Sequence, residues 1–135
     1  MSEKKLGSCL CKAVRFEIDG EFESFYLCHC VHCRKDTGSA HAANLFSKSA
    51  SLHWISGQDN VTTFHLPSTR HVKSFCATCG SALPNLQMEG KLLMVPAGCL
   101  DSPVAVLPTA HIFLSDKAEW DEALENVPRR ENFSD

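Results

Sequence analysis

The chain has no long apolar run. Its longest, such as Leu92–Val95 and Val104–Leu107, are far short of the roughly 20 residues a membrane-spanning helix requires. No membrane partner is therefore expected. The opening Met-Ser-Glu-Lys-Lys-Leu lacks the apolar core of a signal peptide. The expected location is cytoplasmic, with a transit peptide trimmed from a longer precursor as the alternative. A basic stripe is also missing. Formal net charge is −3, and residues 116–135 hold seven acids against three bases, while residues 1–115 hold nine acids and ten bases. A body this close to neutral does not offer the cationic face that neutralises a phosphate backbone, so no nucleic-acid partner is expected. There is no internal repeat and no low-complexity linker. With 135 residues, 44% hydrophobic and 21% charged, the chain suits one compact domain.

What is abundant is cysteine: eight residues, seven of them in three tight motifs. Cys9 and Cys11 form C-x-C. Cys28, Cys30 and Cys33 form C-x-C-x-x-C, and Cys76 and Cys79 form C-x-x-C. In a reducing compartment such spacing points to thiolates on metal, because cysteines this close chelate one ion readily but bridge each other poorly. Zinc takes four ligands in a tetrahedron. The natural split is four plus three, with Cys9, Cys11, Cys76 and Cys79 closing one site and stapling distant parts of the chain together. Cys28, Cys30 and Cys33 then hold a second ion with one corner open. The alternative places Cys76 and Cys79 with the central trio and leaves Cys9 and Cys11 idle. Cys99 stands apart, either as a buried small hydrophobe or as a fourth ligand or redox partner near the second ion.

Periodicity outlines a mainly β protein. Residues 1–6 read as loose. Ala13–Ile18 alternates as a half-buried strand, and Ser24–Leu27, Ala40–Phe46, Ser51–Ile55, Val61–Leu66, His71–Phe75, Leu92–Val95, Val104–Leu107 and Ala110–Leu114 read as further strands. Val31–Thr37 forms two helical turns stopped by Gly38, which sets Cys30 and Cys33 near a helix start that favours thiolate. In Cys76-Ala77-Thr78-Cys79-Gly80, the glycine permits the positive φ of a zinc knuckle. The strongest helix pattern is Asp116–Asn126, near the C-terminus. Trp120, Ala123 and Leu124 share its inner face, and Pro128 stops it.

These residues resemble the glutathione-dependent formaldehyde-activating enzyme family, which includes centromere-protein-V-like proteins. The resemblance rests on Gly7-Ser8-Cys9-Leu10-Cys11 with Val14-Arg15-Phe16, and on Cys28-His29-Cys30-Val31-His32-Cys33-Arg34-Lys35 with Thr37-Gly38. It rests further on Phe75-Cys76-Ala77-Thr78-Cys79-Gly80, Ala97-Gly98, and the tail Pro108–Phe113 with Trp120. It covers residues 7–133, so the chain is expected to be a single zinc domain over 1–135. The resemblance implies a β-tent of twisted antiparallel sheets. It also implies the four-plus-three partition: a structural zinc on Cys9, Cys11, Cys76 and Cys79, and a catalytic-type zinc on Cys28, Cys30 and Cys33. The activity implied is that of a carbon–sulfur lyase, the founding type joining glutathione to formaldehyde. Two positions depart from the family. Lys12 stands where glycine is common, and Cys99 where a hydroxyl residue is usual.

An open corner on zinc can bind a substrate thiol and favour its thiolate, or polarise a carbonyl oxygen. Arg34 and Lys35 are candidates for holding the carboxylates of a glutathione-like substrate, against the plainer reading that they screen the thiolates or face solvent. His29 and His32 are expected to point away from the metal, with either able to shuttle protons. His41 is the histidine expected nearest the site, and His53, His65 and His71 read as surface or sheet residues. His111 reads as a satisfied core histidine. Two rival functions remain at this stage: a zinc-stabilised protein-interaction module, if the chain closes the second site, and a redox-sensing zinc–thiolate switch.

Overall fold

A computed structural model describes residues 4–133. Among these residues eleven strands form three sheets, with one α-helix. β1 (Lys4–Ser8), β2 (Arg15–Asp19) and β5 (Ser51–Ser56) make the first, in the order β1-β2-β5. β3 (Ser24–Cys28), β4 (Ala42–Ser47), β9 (Asn85–Gln87), β10 (Leu92–Pro96) and β11 (Ala110–Ile112) make the second, in the order β11-β3-β4-β10-β9. β6 (Val61–His65), β7 (Val72–Cys76) and β8 (Ala82–Leu83) make the third. All pairings are antiparallel except β11 against β3. The helix α1 (Val31–Thr37) ends on Gly38, whose left-handed backbone directs its N–H to the Arg34 carbonyl at 2.8 Å. No helix among the described residues is long and apolar enough to cross a membrane.

Alternation decides what each strand buries. In β2, Phe16 and Ile18 point inward and are fully buried, whereas Arg15 and Asp19 are exposed. Together with Val14, Phe22, Leu45, Leu83, Leu93 and Val95 they form the main core. Gly7 of β1 lies flat on the Phe16 ring, and a Cβ there would come within 2.2 Å of the ring's Cζ. A second, much smaller cluster holds Cys28, Cys33 and Ala42, with Cys30 and Ile112 against it.

Several expectations are corrected. The segment read as loose at the N-terminus is ordered from Lys4 onward as β1, residues 1–3 lying outside the described part. Its Lys5 is buried, donates to the Gly20 carbonyl at 2.9 Å and lies over the Phe22 ring. Polarity misleads here because a lysine stem is apolar and its ammonium finds a carbonyl.

The helix expected over Asp116–Asn126 does not form. Two 3₁₀ turns, Leu114–Asp116 and Leu124–Asn126, follow Phe113 and Ala123, both in the left-handed region. Trp120 is 62% exposed, and Ala118 is the buried residue instead. A helix this short depends on packing one face, and none is offered. The Asp116 carbonyl instead accepts a hydrogen bond from Arg34 at 2.9 Å, and the Asp121 carboxylate lies against His29.

Val104–Leu107 pairs with no strand, being framed by Pro103 and Pro108. Val104 and Val106 nevertheless pack on the main core. β11 stops at Ile112 because Phe113 turns left-handed. The short strands β8 and β9 carry too few residues for a periodic signal.

Candidate metal centres

Cys9 and Cys11 sit on the turn after β1, which closes through Cys9 N–H to the Val14 carbonyl (3.0 Å) and Lys12 N–H to the Cys9 carbonyl (3.1 Å). Cys76 ends β7. Gly80, at φ +79°, turns the chain back so that its N–H reaches the Cys76 carbonyl at 2.8 Å. The four sulfurs lie within 4.8 Å of one another. Cys9 and Cys11 are 3.6 Å apart, and Cys11 and Cys76 3.9 Å. Four thiolates about 2.3 Å from a tetrahedral zinc would be separated by roughly 3.8 Å, so this donor set fits that ion.

The surroundings of Cys76 and Cys79 favour thiolate, whereas at Cys11 the lowering by the Ala13 backbone is outweighed by burial and the neighbouring thiols, which push it up to about 11. The Ser81 hydroxyl and backbone N–H, with that of Cys11, hold the Cys79 thiol down to about 5. The Cys79 backbone N–H pulls Cys76 down. The Val14 N–H donates to the Cys9 sulfur at 3.3 Å and the Asn60 amide to the Cys76 sulfur at 3.3 Å.

Cys28 closes β3, Cys30 caps α1, and Cys33 lies in its first turn. Their sulfurs also lie within 4.8 Å of one another, and among the described residues the group stops at three. The Cys33 N–H donates to the Cys30 sulfur at 3.4 Å. Burial dominates otherwise, pushing the Cys33 thiol far up and Cys28 up as well.

This trio borders a cavity of about 340 Å³ between the five-stranded sheet and β7-β8. Cys28 and Cys33 line one side, with Tyr26 and Asn44 from the five-stranded sheet. Arg70 and Lys73 line the other. A polar knot forms part of the wall: Asp36 meets His71 Nε2 at 2.7 Å and Lys73 Nζ at 3.1 Å, while Lys73 also donates to the Asp36 carbonyl at 2.7 Å.

Behind the trio, His29 is 2% exposed. Its Nε2 shares a hydrogen bond with His111 Nδ1 at 2.8 Å. Its Nδ1 lies 3.1 Å from Asp121 Oδ2, in an orientation that makes no hydrogen bond. The His41 ring stacks 5.0 Å away, its pKa lowered by burial and by the neighbouring His29. His29 thus points away from the three sulfurs as expected, and His111 is satisfied, though on an exposed strand. His32 is exposed beside His71, and His53 and His65 lie on the surface.

Arg34 and Lys35 do not line the cavity. They face a shallow groove with Trp120, and Lys35 also borders a separate groove with His32 and Phe64. Cys99 joins neither sulfur group. It is half-buried against the main core, and burial pushes its thiol up to about 12. Asp36, Arg70, Lys73 and Asp121 were not singled out from the sequence, and His71, read there as a surface or sheet residue, lines the cavity wall. Asp36 lies on α1 three residues after Cys33, whereas the pairing of β7 and the path of the tail bring the others to the trio, and no local spacing announces that.

The fold and its two sulfur groups define a small, mainly β protein with two centres able to hold metal. The family model described as glutathione-dependent formaldehyde-activating enzyme matches residues 4–116, and the chain belongs to that family. A crystal structure of a Rhodobacter sphaeroides protein is similar in fold, with a TM-score of 0.59 at 22% identity, covering 78% of this chain and 98% of that one. No curated protein matches the chain.

Proposed function

We propose that the protein is a zinc-dependent carbon–sulfur lyase acting on a thiol adduct such as S-hydroxymethylglutathione, formed from glutathione and formaldehyde. The observation that carries this reading is a sulfur trio with no fourth ligand from the described residues, set against a cavity. Membership of the family supports the substrate class. In this reading Cys9, Cys11, Cys76 and Cys79 hold a structural zinc, and Cys28, Cys30 and Cys33 hold the catalytic-type zinc. The chain forms one domain over residues 1–135, with its core at about 7–133, and works in the cytoplasm without nucleic acid or membrane.

The zinc at the trio would supply a Lewis acid and a seat where a thiol is stable as its thiolate. The residues of the chain do the rest. In the condensing direction the substrate sulfur attacks the aldehyde carbon, one C–S bond forms, and the aldehyde oxygen takes up a proton. In the reverse direction that C–S bond breaks as the hydroxyl proton leaves. The Tyr26 hydroxyl and the Asn44 amide line the cavity and make no hydrogen bond within the described residues. They are available to donate to the aldehyde oxygen. Apolar neighbours such as Phe46 and Met94 limit water at the same place.

Metal analysis and cobalt substitution test the proposal. Two ions per chain are expected, with the cobalt absorption bands of the trio site shifting on addition of glutathione. A spectrum unchanged by glutathione overturns it.

A further inference from the structure

Cations close to the trio in sequence are not the ones that face the cavity. Arg34 is tied to the Asp116 carbonyl, and Lys35 lies outside. On the cavity wall, Lys73 and His71 both engage Asp36 and are held by it. Arg70 is different. It lines the same cavity as Cys28 and Cys33, and no ion pair or hydrogen bond engages its guanidinium among the described residues.

With a divalent ion held by the trio, the charges lining the cavity would have opposite sign. Three thiolates around a divalent ion sum to −1, because 2 − 3 = −1. On the wall, Lys73 and Asp36 offset each other, leaving the Arg70 charge unbalanced. A carboxylate is repelled by the sulfur end and attracted to the arginine end, where the planar guanidinium can take it in a bidentate pair. A thiol is welcome only at the metal. The cavity, at about 340 Å³, is at the low end of the roughly 300–1,000 Å³ of small-molecule pockets. It accommodates the reacting arm and one carboxylate of a tripeptide thiol rather than a large cofactor.

We infer that Arg70 is the specificity-determining residue of this site, binding a carboxylate of an anionic thiol substrate and so orienting its sulfur toward Cys28, Cys30 and Cys33. This deepens the function proposed above and rests on it for the role of the sulfur, but the carboxylate contact can be measured separately.

The test compares wild type, Arg70→Ala and Arg70→Lys, all metal-replete, by calorimetric titration with three probes. These are glutathione, S-methylglutathione and 2-mercaptoethanol. Arg70→Ala is expected to weaken glutathione and S-methylglutathione by about ten-fold. Binding of 2-mercaptoethanol and metal content should not change, because neither depends on the guanidinium. Arg70→Lys should recover part of the loss, since it keeps the charge but not the fork. S-Methylglutathione offers no thiolate. Its Arg70-dependent binding therefore upholds the inference even if glutathione leaves the cobalt spectrum unchanged and the lyase reading fails. Equal affinity of wild type and Arg70→Ala for both glutathione forms overturns the inference, as does an equal loss for 2-mercaptoethanol.

Discussion

The Cys9/Cys11/Cys76/Cys79 group is anchored in the main core through Cys9 and Cys76, whereas the Cys28/Cys30/Cys33 group lies at the edge of a cavity. Cys9 and Cys76 are among the most buried residues of the protein and touch the same apolar cluster as Phe16 and Leu83. The Val14 N–H donates to the Cys9 sulfur and the Asn60 amide to the Cys76 sulfur, while the Cys79 sulfur meets the Ser81 hydroxyl at 3.2 Å. The trio has its own small cluster and shares a wall with open space. The contrast suggests a division of labour. In the function proposed above, metal at the more numerous, hydrogen-bonded sulfurs would serve folding, and metal at the fewer, desolvated sulfurs beside the cavity would leave room for chemistry.

The sharpest way to break that comparison is to remove one sulfur from each group. Cys76→Ser should abolish cooperative folding or lower the melting temperature severely, because structural zinc contributes on the order of 10 kcal/mol to the folding of small domains. Cys33→Ser should leave the thermal transition recognisable by circular dichroism, while one metal equivalent and all thiol binding are lost. Equal destabilisation by the two variants would erase the distinction.

Acid should separate the groups next. Protons compete with metal at each sulfur, and they compete better where the thiol pKa is raised. Cys33 and Cys28 are raised by burial; in the quartet Cys11 is raised too, to about 11, but Cys79 is held down to about 5 and Cys76 is lowered. As pH falls, the trio should therefore release its metal first and the quartet later, seen as two steps with a chromophoric chelator. Release in the opposite order would refute the assignment.

A smaller effect is expected behind the trio. Asp121→Ala removes the carboxylate beside the buried His29 ring, leaving the Nδ1 of that ring without a charged neighbour. A cost of about 1–3 kcal/mol is expected, read as a lower melting temperature together with weaker retention of the trio metal but not of the quartet metal. Equal loss from both sites would show that the tail serves the whole fold rather than this corner.

The smallest effect concerns the quartet's turn. Lys12 has φ +68°, in the left-handed region, and its Nζ donates to Ser8 Oγ at 3.0 Å. Lys12→Gly relieves the backbone but frees the unfolded chain, for a net gain of up to about 1 kcal/mol. Chemical denaturation measures it, and a loss of stability would assign Lys12 a contact worth more than its strain.

Local chemistry was readable wherever it depends on residues close in sequence. The three cysteine motifs, the Val31–Thr37 helix with its Gly38 stop, the Gly80 turn and most strand positions all rest on spacing, backbone freedom or alternation. The tail shows where such reading stops. Asp116–Asn126 has helical spacing, yet its Asp116 carbonyl accepts from Arg34 and its Asp121 carboxylate lies beside the buried His29, which local propensity cannot weigh. Lys5 and the unpaired Val104–Leu107 illustrate the same limit, because burial without strand pairing, or of a charged residue, is set by what lies opposite.

By itself the sequence determined the donor set: seven thiols in three short clusters, able to chelate because their spacing brings sulfurs together whatever the rest of the chain does. It also determined the β character, through period-two burial. Only the tertiary structure decided that the first and third clusters meet, that the second borders a cavity, and that Arg70 rather than Arg34 faces it. Those outcomes depend on strand pairings between residues far apart in sequence. The free energy of such pairings comes from the whole core, and no short stretch contains it.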